Sequence, residues 1–224
     1  MDPFVQLVVA CAVFLMLHVL PSTPLRPALV HTLGEGPYLG AFSLATLAAI
    51  VWMAMAYQGA PATPLWPGLR FLPAAVMPFS FILIACGVMT PNPTAVAAGR
   101  LLARPDPAHG IIRITRHPVM WGIMLWAGAH ILARGELKST VFFGSFLLLA
   151  AAGTRLQDAR KAKTHGEDWQ RFAALTSNLP FAAIAQGRNR LAIGEIGLAR
   201  VVLGLLLFGG MFLAHDWLIG ARPY

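Results

Sequence analysis

Two histidines stand inside long apolar runs: His18 in "VFLMLHVLP" and His130 in "WAGAHILA". An imidazole carries two polar nitrogens that hydrocarbon leaves unsatisfied. At membrane depth it therefore binds a ligand, relays a proton or bonds a neighbouring helix. Neutral imidazole is also an axial ligand of heme iron, and two helices facing each other across a bundle can supply one each. The helix face around His130 carries Gly122, small enough to admit a planar ring, and Trp126, an aromatic that can pack on one. Cys11 and Phe14 lie around His18.

His117 belongs to a different setting. In "GIIRITRHPVMWGIMLWAGAH" (110–130) it opens a helix, with Pro118 in the favoured first position and Arg113 and Arg116 beside it. A helix N-terminus attracts anions. Arginines there either pair with carboxylates, such as those of a cofactor, or set membrane topology. Thirteen residues separate His117 from His130, about 20 Å of rise and about 140° of turn, so the two cannot share a metal ion. His31, His109, His165 and His215 fall in loops or near span ends and read as solvated. Asp158, at a span end, reads the same way. Arg26 and Glu35 bracket the first turn as an exposed salt bridge.

The elements that must hold these residues follow from composition. Of 224 residues, 57% are hydrophobic and 12% charged, and the mean hydropathy is +0.66. Soluble domains carry about 25% charge, and here the apolar residues come in long blocks. The fold class is all-α, a multi-pass transmembrane helical bundle forming a single domain over 1–224, because irregular chain cannot face lipid. Six spans are predicted at about 4–20, 37–57, 70–90, 118–134, 138–157 and 196–218. Breaks fall at "PSTP", "GAPATPLWPG" and "TPNPT". The polar stretch 158–194 reads as an interfacial helix followed by a re-entering loop. The first block lacks a basic leader and reads as a retained helix. Cys11 and Cys86 lie in different blocks without metal-site spacing.

The net charge of +8 is better explained by topology than by a nucleic-acid surface, since few aromatics interleave the basic residues. Six spans place the connections 21–36, 91–117 and 158–195 on one side, and these hold 13 of the 17 Lys and Arg residues. The positive-inside rule makes that side cytoplasmic and puts both termini outside, in a bacterial inner membrane.

Three stretches resemble a known family: "LHVLPSTPLRPALVHTLGE", "GIIRITRHPVMWGIMLWAGAH" and "HGEDWQRFAALTSNLPFAAIAQGR". Together they are similar to the NnrU family and its plant and cyanobacterial relative, 15-cis-zeta-carotene isomerase. The resemblance covers residues 14 to about 190. It implies a membrane protein holding heme b, whose iron changes ligation on reduction and turns the 15-cis double bond of a tri-cis carotene to trans. Carried over by motif, the two iron ligands fall on His18 and His130. Helix arithmetic puts these near opposite ends of their spans, further apart in depth than the about 12 Å two imidazoles bridge through an iron. His117, which matches His18 in depth, therefore stays open as the alternative partner.

A second likeness is to isoprenylcysteine carboxyl methyltransferases and phospholipid methyltransferases, which bind S-adenosylmethionine with "RHPxxxG" and a "GEDWQRF" tail. Those enzymes carry paired glutamates where this chain has Gln157 and Asp158. Three functions follow: a redox-gated cis–trans isomerase acting on a hydrophobic polyene in the lipid, an accessory heme protein of nitric oxide and denitrification metabolism, and a membrane methyltransferase.

Overall fold

The computed structural model describes residues 1–95 and 98–223, apart from the Ser22 side chain. Nine α-helices occur among the described residues. They are α1 (Pro3–Val19), α2 (Leu25–Leu33), α3 (Glu35–Gly59), α4 (Leu72–Met89), α5 (Pro118–Arg134), α6 (Leu137–Leu175), α7 (Ala182–Ala185), α8 (Ile193–Ile196) and α9 (Leu198–Ile219). The predicted spans correspond to α1, α3, α4, α5, α6 and α9. Four of these, α3, α4, α6 and α9, are long and apolar enough to cross a membrane, and α1 is a shorter apolar helix. The protein is an all-α membrane helical bundle. Asp2 caps α1, accepting from the amides of Phe4 and Val5 at 2.9 and 3.0 Å.

By packing, the chain divides into two units, each drawn from two stretches: 1–69 with 130–149, and 70–129 with 150–224. In the first, α1 lies on α3. Leu7, Ala10, Cys11 and Phe14 recur at three- and four-residue spacing on α1 and meet Ala49, Met53 and Ala56 of α3. The small side chains let the backbones approach, which is how helices associate when lipid removes the usual hydrophobic gain. Where the sequence showed only a connection after "PSTP", α2 packs against α3 and ends at Gly34 (φ 84°).

In the second unit α4 lies on α9, and Gly204 makes this possible: a Cβ there would sit 2.8 Å from the Ile82 Cα. Gly122 serves a similar purpose on α5. Its Cβ would meet Ile84 Cγ1 at 2.5 Å, and its carbonyl accepts from Ser80 Oγ at 2.8 Å. The expectation that Gly122 makes room for a planar ring is thus corrected; the space is taken by α4. The interfacial helix expected from 158 is also revised. Between Gly153 and Gly166 the chain has neither proline nor glycine, and its Ala, Arg, Lys and Gln are good helix formers. α6 accordingly continues from span to polar stretch, bending only at Gly166 (φ 47°, ψ −120°).

Candidate functional site

His18 and His130 fall in the same unit. Nδ1 of His18 lies 2.8 Å from the Phe14 carbonyl one turn earlier. A carbonyl only accepts, so Nδ1 carries a proton, and Nε2 is the nitrogen left for a ligand. Among the described residues no hydrogen bond reaches that Nε2. This is the tautomer, and the backbone anchor, of a metal-binding histidine. The His18 ring packs on Phe14 (centroids 4.5 Å apart) and edge-on to Phe42 (5.8 Å). His130 packs on Phe143 of α6 at 4.9 Å, and Phe14 packs on Phe146 of the same helix at 4.9 Å.

His18 lies one turn from Phe14, and Phe143 lies three residues from Phe146, so with ring partners level the two histidines are offset by about 10 Å along the helix axes.

The third wall of this site was not legible in the sequence. Tyr38, Phe42 and Thr46 share one face of α3, and Phe42 stacks on Tyr38 (6.3 Å, 25°). Tyr38 is 4% exposed, and its hydroxyl is buried without a hydrogen-bond partner among the described residues; the Thr46 hydroxyl is in the same state. The Arg26 guanidinium lies over the Tyr38 ring at 5.8 Å, and Arg26 pairs with Glu35 at 3.5 Å, as expected for an exposed bridge.

Arg113, Arg116, His117 and Trp126 belong to the second unit. Asp158, expected to be solvated, is mostly buried there, and this is a correction. Its carboxylate accepts from Arg116 Nε at 3.0 Å and from His117 Nε2 at 2.7 Å. The His117 side chain is 1% exposed and that of Asp158 19%. A guanidinium in apolar surroundings requires an anion, and α6, continuing past its apolar stretch, supplies it. Arg116 also lies over the Trp169 ring at 5.7 Å. Asn92 and Thr94 donate to the Arg116 carbonyl, both at 3.1 Å. Beside this network a cavity of about 310 Å³ is lined by His117, Asn92, Thr94 and Gln157 among others.

Arg113 forms a separate cluster. Nε donates to Glu195 at 2.7 Å, and the terminal nitrogens donate to Asp106 at 2.6 Å and Asn189 at 2.9 Å. Hydrogen bonding to Arg113, reinforced by the Gly110 amide and opposed by burial, holds the Glu195 carboxyl at about 2. The same partner pushes Arg113 further up. Asp106, His109 and Glu195 are close enough to hold a metal ion, but the guanidinium already supplies the positive charge they would need.

A wholly apolar cavity of about 360 Å³ lies in the second unit, lined by Phe79, Ile82, Trp121, Leu125, Phe181 and others. Phe181 is the one non-glycine residue with positive φ among the described residues (63°), a strained conformation. Its amide donates to the Ile114 carbonyl at 2.8 Å, and its carbonyl accepts from Ala185 at 2.8 Å. No feature of a phenylalanine in sequence announces such a backbone.

Fold and site together define a multi-pass helical membrane protein with two histidines of its apolar helices in one packing unit. The chain belongs to the NnrU family, whose model, described as NnrU protein, matches residues 6–223. Two relatives are both named 15-cis-zeta-carotene isomerase, chloroplastic. The one from Arabidopsis thaliana is 45% identical over 80 residues, 36% of this chain and 22% of its own length. The one from Zea mays is 37% identical over 82 residues, 37% of this chain and 22% of its own. The matched stretch thus spans about a fifth of these relatives. No solved structure matches the chain.

Proposed function

We propose that this protein is a heme b-binding membrane enzyme that turns a cis double bond of a polyene to trans, with the 15-cis bond of 9,15,9'-tri-cis-zeta-carotene as the substrate type. The observation that carries the reaction class is the 45% identity with an enzyme named for that reaction. His18 and His130 would hold the heme iron. His18 fits through its proton-bearing Nδ1 and open Nε2, whereas the His117 Nε2 is engaged by Asp158. The heme, when bound, would supply a redox-gated Lewis acid or one-electron partner for rotation about a double bond. The chain's part is to hold the two imidazoles among Phe14, Phe42, Phe143 and Phe146, away from water. The apolar cavity lined by Trp121 and Phe181 suits a hydrocarbon chain arriving from lipid. Arg113 and Arg116 are held by carboxylates of the second unit, where Asp158 also engages His117. The distribution of basic residues supports both termini lying outside a bacterial inner membrane.

Two measurements test this reading. The purified protein shows a Soret band of bis-histidine heme that His18→Ala and His130→Ala both lose. A band kept by His130→Ala and lost by His117→Ala overturns the ligand pair. Cells accumulating the tri-cis polyene in darkness convert it when they carry the wild-type gene, and an unchanged isomer profile removes the isomerase. The family match extends well beyond the stretch shared with the isomerases, which favours one second reading, an accessory heme protein of nitric oxide metabolism. That reading keeps the Soret band and lacks the conversion. A methyltransferase is disfavoured, because the one carboxylate left in its motif, Asp158, is taken by Arg116 and His117.

A further inference from the structure

The face of α3 that meets His18 is chemically incomplete. Buried hydroxyls normally find a partner, and leaving one without is destabilising. Helical threonines elsewhere in this chain solve the problem locally. Thr32, Thr140, Thr164 and Thr176 each donate to the carbonyl four residues earlier at 2.8–3.0 Å. Thr46 does not, and the Tyr38 hydroxyl, two turns away on the same face, is equally unpartnered. Phe42 lies between them and touches the His18 ring. Both orphans thus stand within one helical turn of the residue that packs on the candidate iron ligand.

The charge nearest to this face is positive. Arg26 lies over Tyr38, and its one carboxylate partner, Glu35, is 68% exposed and 3.5 Å away, so the pair is weak and exchangeable. The other two candidate arginines are already matched: Arg113 by Glu195 and Asp106, Arg116 by Asp158. A buried hydroxyl donor and a loosely held guanidinium, joined through Phe42 to a histidine with an open Nε2, suit a carboxylate borne on a planar ligand.

We propose that Arg26 and Tyr38 form the carboxylate-binding end of the heme site, Tyr38 donating its hydroxyl to a propionate oxygen and Arg26 pairing with its charge. This rests on the heme reading above. The site takes a porphyrin acid and discriminates against its ester. Tyr38 and Arg26 are positioning residues; neither touches the iron.

The test reconstitutes the full chain, in detergent, with heme or with heme dimethyl ester, in wild type, Tyr38→Phe and Arg26→Gln. Affinity is read from Soret titration and from the rate of heme loss to an apo-globin scavenger. Wild type holds heme about tenfold more tightly than the ester, the value of one charge-assisted bond. Each substitution abolishes most of that preference while leaving the bis-histidine band shape unchanged. A preference that survives in both variants, or is absent in wild type, overturns the assignment while the heme reading stands. No Soret band with either porphyrin removes the heme reading itself. Arg26 is partly exposed, so Arg26→Gln keeps the test decisive should Tyr38→Phe assemble poorly.

Discussion

Replacing Asp158 by alanine strands the Arg116 guanidinium in the second unit. Arg116 keeps only the Thr176 carbonyl, at 3.3 Å, and the Trp169 ring, while His117 Nε2 loses its acceptor. The Arg116 side chain is 14% exposed and that of His117 1%. Removing one partner of a buried pair costs about 3–5 kcal/mol, and the remaining exposure of Arg116 and Asp158 sets the loss near the lower end, about 3 kcal/mol. At about 2–4 °C per kcal/mol for a chain of this size, the unfolding midpoint in detergent falls by roughly 6–12 °C. Arg116→Ala and the double variant complete a cycle whose coupling energy is about 1.5–3 kcal/mol. A midpoint within about 2 °C of wild type, or two losses that simply add, would refute the view that Asp158 neutralises this turn.

Three other outcomes follow from the same reasoning. Glu195 titrates at about 2 when folded, below its ordinary value of 4.5, so its contribution is complete above 4.5 and is lost as pH falls from there towards 2. Glu195→Gln removes that acid-side decline from a stability-against-pH curve, and an unaltered curve counts against the Arg113–Glu195 pair. Gly204→Leu forces a Cβ against the Ile82 backbone and lowers stability by about 1–3 kcal/mol, measurable as a lower unfolding midpoint; a neutral effect contradicts the close α4–α9 approach. A C-terminal reporter active only in the cytoplasm stays silent, and activity there reverses the topology.

Much of the architecture was legible because its causes are local. Span length and hydropathy located the six apolar helices within a few residues except for the end of α6, proline and glycine marked most breaks, and Pro118 opened α5 where expected. The Arg26–Glu35 bridge was also legible, since only nine residues separate its partners. The motifs carried the family and singled out His18 and His130.

What the sequence could not give depended on partners distant in the chain. His117 and Asp158 are 41 residues apart, and local composition made Asp158 look solvated because the helix bearing it was expected to end. The polar residues after 157 marked the end of an apolar stretch, not of a helix. Gly122 looked like room for a ring until α4 filled it. Burial of a charge or hydroxyl far from water is decided by what packs over it, and no periodicity records that. Tyr38 and Thr46 are ordinary residues in an apolar helix; only the packed structure leaves their hydroxyls buried without partners among the described residues, on the face of α3 whose Phe42 packs on His18.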